Sequence, residues 1–233
     1  MEKIKKFLLD ILFPKFCFSC GREGSYLCED CQSILEISQY QYCLCKKPKR
    51  LPEGRKCPKC QPKILSALYF ALSYQNPLIK ELIQKFKYNP FIKELAKPLA
   101  SLIITHFQLL NNKSNFSNFI LIPISLNEKR LRWRGFNQAT EISKELSKIL
   151  EIPLVLNCLT KIKETLPQVK LSEQERKENV EGTFSCQNQS KIFGKRILLV
   201  DDIYTTGATM EEAARVLKES GAKEIQGIVV ARE

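Results

Sequence analysis

Four short apolar runs along this chain predict buried strands. They are residues 68–74, 119–124, 197–200 and 225–230. Continuous apolar runs, rather than an apolar–polar alternation, are expected where helices cover both faces of a sheet. The pattern therefore predicts an α/β fold.

Amphipathic segments lie between and after these runs. Apolar residues recur at helical spacing in residues 77–86, in 92–110 with a break or a new first turn at Pro98, and from Asn137 to residue 150. A further helix follows residue 209 and ends at Gly221. The side chains predicted to face the core of the last two helices are Ala139, Ile142, Leu146, Ile149, Met210, Ala213, Ala214 and Leu217.

The third strand leads into the most informative stretch of the chain, residues 197–209. Two carboxylates end the strand, and a turn rich in Thr and Gly precedes the last helix. Such a turn suits a phosphate, because backbone N–H groups at a helix N-terminus are unpaired and the helix dipole favours an anion. The two acids suit vicinal sugar hydroxyls, since an ionised carboxylate only accepts hydrogen bonds. The candidate binding residues are Asp201, Asp202, Thr205, Thr206, Gly207, Ala208 and Thr209.

This stretch resembles the signature of the type I phosphoribosyltransferases. The resemblance implies that the acid pair holds the 2′- and 3′-hydroxyls of phosphoribosyl pyrophosphate and that the turn holds its 5′-phosphate. It also implies Mg²⁺ as a companion of that ligand if the protein is an active enzyme.

Eight of the ten cysteines lie within 44 residues near the N-terminus. Disulfides are one interpretation, but paired Cys-x₂-Cys turns more often place two thiolates each on a tetrahedral Zn²⁺. We expect one ion on Cys17, Cys20, Cys28 and Cys31 and a second on Cys43, Cys45, Cys57 and Cys60, with a cross-braced pairing as the alternative. The third pair has one intervening residue instead of two, which weakens the second site.

A basic segment follows the second strand. Lys129, Arg130, Arg132 and Arg134 alternate with aromatic residues there, and cations with exposed rings suit single-stranded nucleic acid. The same cations could neutralise a pyrophosphate, or the segment could be a basic loop with buried aromatic anchors. A second polar loop spans residues 165–184. The candidate contacts to pyrophosphate or DNA are Arg130, Arg132, Trp133, Arg134, Gln168 and Arg176.

The formal net charge of +12 suggests a polyanionic partner, although a lysine-rich solvated surface would give the same count. No stretch is apolar enough for a membrane span, and Asp10 interrupts the apolar run after the N-terminal lysines. We therefore predict a short docking helix at the N-terminus and a cytoplasmic protein. A Pro- and Lys-containing connection at 61–66 separates a predicted cysteine module, residues 1–66, from a second domain, residues 67–233.

Three motifs in order resemble the ComF family of competence-associated proteins. The first is Arg132-x-Arg134-Gly135-Phe136-Asn137-Gln138. The second is a series from Thr165 through Gln168, Leu171, Arg176, Asn179 and Gly182 to Phe184, and the third is the acidic run at 201–209. In addition, Phe13-Pro14-Lys15-Phe16-Cys17 leads into the first cysteine pair as in that family. The departure is Cys43-Leu44-Cys45, where relatives usually carry Cys-x₂-Cys. The resemblance implies a zinc-ribbon-like head, a type I phosphoribosyltransferase fold with a parallel, Rossmann-like sheet, and the handling of single-stranded DNA in natural transformation.

Two hypotheses of function follow. In the first, the protein handles single-stranded DNA and carries a site for phosphoribosyl pyrophosphate or a related ribose phosphate. In this hypothesis its head recruits a helicase-like DNA-uptake partner. In the second, it is an active phosphoribosyltransferase acting on an unidentified base or amine. One helix and one strand account for the 24 residues after Thr209, so we expect no C-terminal segment that covers a nucleobase.

Overall fold

The computed structural model describes residues 13–51, 56–110, 116–163 and 173–233. Of residues 173, 174, 176 and 177 it describes the backbone alone. The predicted N-terminal helix, apart from its last residue, and residues 165–172 of the second polar loop lie outside the described residues.

A parallel sheet forms the centre of the molecule. Its strands are β1 (Ala67–Ser73), β2 (Phe119–Pro123), β5 (Arg196–Val200), β6 (Ile203–Tyr204) and β7 (Glu224–Arg232). The order is β1-β7-β5-β2, and the short β6 pairs with the end of β7. A separate antiparallel pair joins β3 (Leu159–Lys161) to β4 (Phe184–Cys186). All four predicted strands are therefore present and parallel, which places their carboxyl ends at one edge of the sheet.

Helices cover both faces of the sheet. The described helices, numbered along the chain, are α1 (Glu29–Ser33), α2 (Pro77–Lys87), α3 (Ala96–Leu109), α4 (Glu128–Arg134), α5 (Gln138–Leu150), α6 (Glu173–Val180) and α7 (Ala208–Glu219). One hydrophobic cluster joins α2, α3 and α5 to one face of the sheet, and a second joins α7 to the other. Short 3₁₀ turns occupy Pro58–Cys60, Lys93–Leu95 and Gln189–Lys191. No helix in the described ranges is long and apolar enough to cross a membrane.

The helix predictions hold with three corrections. Residues 129–134 are helical and not a loop, because Asn127 accepts a hydrogen bond from the Arg130 N–H and starts α4, and Gly135 ends it at φ +76°. Residues 173–180 are also helical. Neither helix has an apolar face, so hydrophobic periodicity could not reveal them. Ile149 is half exposed, since Leu150, four residues after Leu146, packs on the core in its place.

The cysteine-rich head packs on the sheet instead of standing apart. Cys17, Leu27 and Cys31 join the hydrophobic cluster on the α3 side, whereas Cys43, Leu44 and Cys60 join the cluster on the α7 side. The Ser38 N–H also donates to the Ala71 carbonyl of edge strand β1 at 2.8 Å. The head contains too few apolar residues for a core of its own, and it uses the core of the sheet.

Candidate functional site

The acid pair lies at the carboxyl end of the central strand β5. Asp202 is 5% exposed, and its Oδ1 lies 2.7 Å from Nζ of Lys87, the last residue of α2. Burial and the neighbouring Asp202 charge raise the pKa of Asp201 to about 7. Although burial opposes its charge, Asp202 and Asp201 raise the pKa of Lys87. The two carboxylates thus form a partly neutralised acceptor pair with a built-in counterion.

Further cations lie close to the acid pair. Burial lowers the pKa of Arg134, and Asp202 and Asp201 act on it in the opposite sense. Burial and the charge of Arg130 lower the pKa of Lys161 to about 8, while Asp201 again opposes the shift. Four cations, Lys87, Arg130, Arg134 and Lys161, therefore accompany two carboxylates, and such a corner favours a polyanionic ligand.

Residues of the Arg-x-Arg-Gly-Phe-Asn-Gln motif hold Arg134 in this corner. The Gln138 Oε1 accepts from Arg134 at 2.9 Å, and its Nε2 donates to the Phe86 carbonyl at 2.9 Å, next to Lys87. Phe136 is buried against Phe86, with ring centroids 5.5 Å apart. Asn137 caps α5 as predicted, because its Oδ1 accepts from the Ala139 N–H. The motif therefore joins the ends of α2 and α4 at the acid pair.

The aromatic residues of the basic segment have different roles. Trp133 is 60% exposed, and its ring lies 5.0 Å from Phe91 and 6.3 Å from Tyr88. The Arg134 guanidinium lies 5.5 Å from the Tyr88 ring centroid. Phe136 is buried and unavailable for stacking, so the exposed rings are Trp133 and Tyr88. Arg132 is also exposed, and its position two residues from Arg134 puts it on another face of α4.

The predicted phosphate turn, residues 205–209, follows β6 and opens α7. Gly207 adopts φ +82°, and a Cβ added there would lie 2.2 Å from the Tyr204 hydroxyl. Only glycine satisfies both conditions. Thr205, Thr206 and Thr209 are partly exposed, while Gly207 and Ala208 are buried. The Ala208 N–H donates to the Thr206 hydroxyl at 3.4 Å, and the dipole of α7 favours an anion at this end of the helix.

A cavity of about 970 Å³ opens beside this turn. Its walls come from the turn, from the side of α7 and from the head, where Lys46, Lys59 and Lys63 contribute. Acidic and basic residues both line it, including Glu211 and Arg232. Asp201 and Asp202 are not part of these walls.

The eight cysteines gather into the two groups that sequential pairing predicts. Within each group the ligand atoms all lie within 4.8 Å of one another. The Sγ–Sγ distance is 3.6 Å for Cys20–Cys28, and the distances among Cys45, Cys57 and Cys60 are 3.1–3.5 Å. Tetrahedral zinc with Zn–S bonds of about 2.3 Å places sulfurs about 3.8 Å apart, so the first group has nearly this spacing and the second is somewhat tighter. Each group offers four sulfurs to one Zn²⁺. Gly21, at φ +72°, turns the chain after Cys20 as expected.

Sequence reasoning missed two site residues and could not place two others. Lys87 ends an amphipathic helix, where a lysine is ordinary, and Lys161 follows no recognisable motif. The parallel topology alone brings them to Asp201 and Asp202. Gln168 lies outside the described residues, and the side chain of Arg176 is not described. Cys158 and Cys186 lie on β3 and β4 with sulfurs 3.6 Å apart, away from both cysteine groups.

Comparisons with known proteins agree with this geometry. The phosphoribosyl transferase domain model matches residues 134–233. Competence protein F of Haemophilus influenzae is 32% identical over 207 residues, covering 86% of this chain and 87% of the relative. Competence protein ComFC of Bacillus subtilis is 29% identical, covering 84% and 79%. The DNA utilization protein YhgH of Escherichia coli is 26% identical, covering 86% and 94%.

These relatives match more than four-fifths of the chain, and the domain model covers the acid pair, the turn and α7. The fold is the parallel phosphoribosyltransferase sheet with an N-terminal cysteine module that fits zinc. The chain therefore belongs to the ComF family of competence proteins.

Proposed function

We propose that this protein handles single-stranded DNA during natural transformation and binds phosphoribosyl pyrophosphate or a related ribose phosphate. The observation that carries the proposal is the adjacency of two features. The first feature is the acid pair, with which the Arg134 guanidinium interacts electrostatically. The second is the pair of exposed rings of Tyr88 and Trp133, which lie near the same guanidinium. A strand whose bases stack on these rings has its phosphates beside a cationic corner. Relatives named for competence and for DNA utilization support the same role.

The ribose phosphate would occupy the acid pair and the turn. Asp201 and Asp202 would accept from the two ribose hydroxyls, and the N–H groups and threonine hydroxyls of residues 205–209 would hold the 5′-phosphate. Lys87 would have to yield part of its contact with Asp202 to the incoming hydroxyls. The freed ammonium would then face the phosphates of the ligand.

The chain's single tryptophan makes the DNA proposal directly testable. Fluorescence excited beyond the tyrosine absorption band reports on Trp133 alone, and we expect oligonucleotides to quench it. Affinity, measured by anisotropy of a labelled strand, should fall steeply with salt because bound phosphates release counterions. Trp133→Ala should weaken binding by about 1–3 kcal/mol, the range for one stacked base. Phe193→Ala is the matched control, since Phe193 is another exposed aromatic residue, 74% accessible.

A pair of variants separates the two ligands. We expect Arg134→Ala to weaken DNA binding at moderate salt and Asp202→Asn mainly to impair phosphoribosyl pyrophosphate binding, measured by calorimetry. Equal loss of both ligands in both variants would indicate one shared site. Unquenched Trp133 fluorescence together with a flat salt response would contradict the DNA proposal.

A second candidate is an active phosphoribosyltransferase, and the acid pair favours it. Asp201 and Asp202 would hold the ribose as C1′ gains positive charge, and Mg²⁺ with Arg134 and Lys161 would stabilise the leaving pyrophosphate. Pyrophosphate release across a panel of bases, with Asp202→Asn as the control, is the test. Ligand binding without any release would favour the first proposal.

The remaining expectations are proposals of the same kind. We propose a cytoplasmic location, residues 1–66 as the N-terminal cysteine-rich unit, and recruitment of a helicase-like partner by that unit. Because this unit shares the core of the sheet, the test keeps the full chain. Substitution of the exposed Phe16, followed by a DNA-binding assay and a pull-down with the candidate partner, separates recruitment from DNA contact.

A further inference from the structure

The second cysteine group is connected to the phosphate turn by a continuous set of buried contacts. The connection starts at Arg232, the last residue of β7, which is 4% exposed. Its guanidinium donates to the Cys43 carbonyl at 2.7 Å and to the Cys45 carbonyl. Two carbonyls of one metal-ligand segment thus accept from one fixed, planar donor.

Arg232 is also beside Tyr204. The two residues are register partners in the sheet, and the guanidinium lies 5.4 Å from the Tyr204 ring centroid. Lys63, three residues after Cys60, makes a second link. Its Nζ donates to the Leu44 carbonyl at 2.9 Å and to the Tyr204 hydroxyl at 3.1 Å.

Tyr204 also contacts the turn, and it therefore connects Arg232 and Lys63 to residues 205–209. Its side chain is 2% exposed, and its hydroxyl lies so near Gly207 that no Cβ fits between them. A further contact reaches α7, because the Ile64 N–H donates to the Glu211 carboxylate at 3.1 Å. The position of the Tyr204 ring and the path of the turn are therefore mutually constrained.

We propose that Arg232, Lys63 and Tyr204 are positioning residues through which the second cysteine group holds the phosphate turn in its binding conformation. The Cys43 and Cys45 carbonyls keep their places only while the cysteine segment keeps its fold, which bound metal stabilises. When the cysteine segment loses its fold, the Arg232 guanidinium loses its two carbonyl acceptors. The contacts that fix the Tyr204 ring are then lost as well. The first cysteine group packs on the opposite face and has no such connection among the described residues. The phosphate-binding part of this inference rests on the function proposed above.

The test compares the two cysteine groups and the links themselves. Hydrogen–deuterium exchange of the turn is measured without ligand at the Glu211 N–H, which donates to the Gly207 carbonyl at 2.8 Å. Zinc content is measured alongside, and calorimetry gives the affinity for phosphoribosyl pyrophosphate. Cys45→Ser should speed exchange in the turn about tenfold, whereas Cys20→Ser should leave it unchanged, since tenfold corresponds to roughly one lost hydrogen bond. Arg232→Gln and Tyr204→Phe should speed exchange and weaken affinity about tenfold with zinc retained, and Arg232→Lys should restore part of both.

Arg215→Gln is the matched control, because Arg215 lines the same cavity but pairs with Glu212 and Glu219 of its own helix. It should leave exchange of the turn unchanged. If Arg232→Gln does not fold, Tyr204→Phe decides alone, since it removes one hydroxyl and keeps the ring. Unchanged turn exchange in folded Arg232→Gln and Tyr204→Phe overturns the coupling, as does an equal response to Cys20→Ser and Cys45→Ser. Failure of the wild type to bind phosphoribosyl pyrophosphate refutes the proposed ligand and leaves the exchange test intact.

Discussion

The ion pair between Lys87 and Asp202 offers the sharpest test of the site's energetics. Lys87→Met keeps the length and apolar stem of the side chain and removes the charge. Removing one partner of a buried ion pair costs about 3–5 kcal/mol, because the remaining charge is buried without compensation. The Lys87 side chain keeps 20% exposure, so we expect the lower end, about 3 kcal/mol.

Thermal unfolding measures this loss. For a chain of this size 1 kcal/mol corresponds to about 2–4 °C, so the midpoint should fall by about 6–12 °C. Adding Asp202→Asn should restore much of the loss, since the second substitution removes the buried charge, and the double-mutant cycle then gives the coupling between the two residues.

Lys148→Met provides a matched control. Lys148 Nζ lies 2.7 Å from Glu145, the same distance as in the Lys87 pair, but its side chain is 69% exposed. An exposed pair contributes less than about 1 kcal/mol. The reasoning is refuted if Lys87→Met costs no more than Lys148→Met, or if Asp202→Asn makes Lys87→Met still less stable.

Three further predictions concern single groups. Because the pKa of Asp201 is raised to about 7, affinity for phosphoribosyl pyrophosphate should rise as the Asp201 carboxylate ionises between about pH 6 and 8. Inorganic pyrophosphate, which has no ribose hydroxyls, controls for the ligand's own titration. If the affinities for the two ligands change with pH in parallel, Asp201 does not have the proposed role. Burial lowers the pKa of His106 below its usual 6.5, so the neutral form is favoured in the folded state and stability should fall as pH drops below that value. His106→Asn leaves no histidine in the chain, and urea unfolding of that variant should lose this part of the pH dependence. Gly207→Ala should lower the unfolding midpoint more than Gly135→Ala: both glycines have positive φ, but an added Cβ meets Tyr204 at the first and no described atom within 4 Å at the second. Equal midpoints would mean that Tyr204 moves aside without cost.

The number of Zn²⁺ ions bound per chain can be measured directly. Metal analysis of the purified full chain should give two Zn²⁺, since each cysteine group places four ligand sulfurs within 4.8 Å of one another. Chelation should lower the unfolding midpoint, because metal binding to such sites is part of the folding free energy. One ion per chain would contradict the second site, whose Cys43-Leu44-Cys45 pair has one intervening residue instead of two.

Local signals in the sequence determined a large part of this protein. Apolar runs marked all four long strands, because a strand covered on both faces has no polar positions to interrupt the run. The acids, threonines and Gly207 marked the turn, and cysteine spacing marked both groups, since these features depend on residues less than about twenty positions apart. Helices α4 and α6 were missed because neither has an apolar stripe at helical spacing.

The tertiary structure decided which distant residues share the site. Lys87 and Lys161 meet the acid pair only because strands in a parallel sheet end at the same edge, and nothing near either lysine in the chain signals it. The sequence does not show which side chains are buried. Burial distinguishes Phe136, which lies in the core, from Trp133, which is exposed at the surface. Burial also raises the pKa of Asp201. The contact of Arg232 with two carbonyls almost 190 residues earlier in the chain is likewise a product of the head packing on the sheet. Sequence therefore specified the chemical groups, and the packing of the fold determined their partners and their charges.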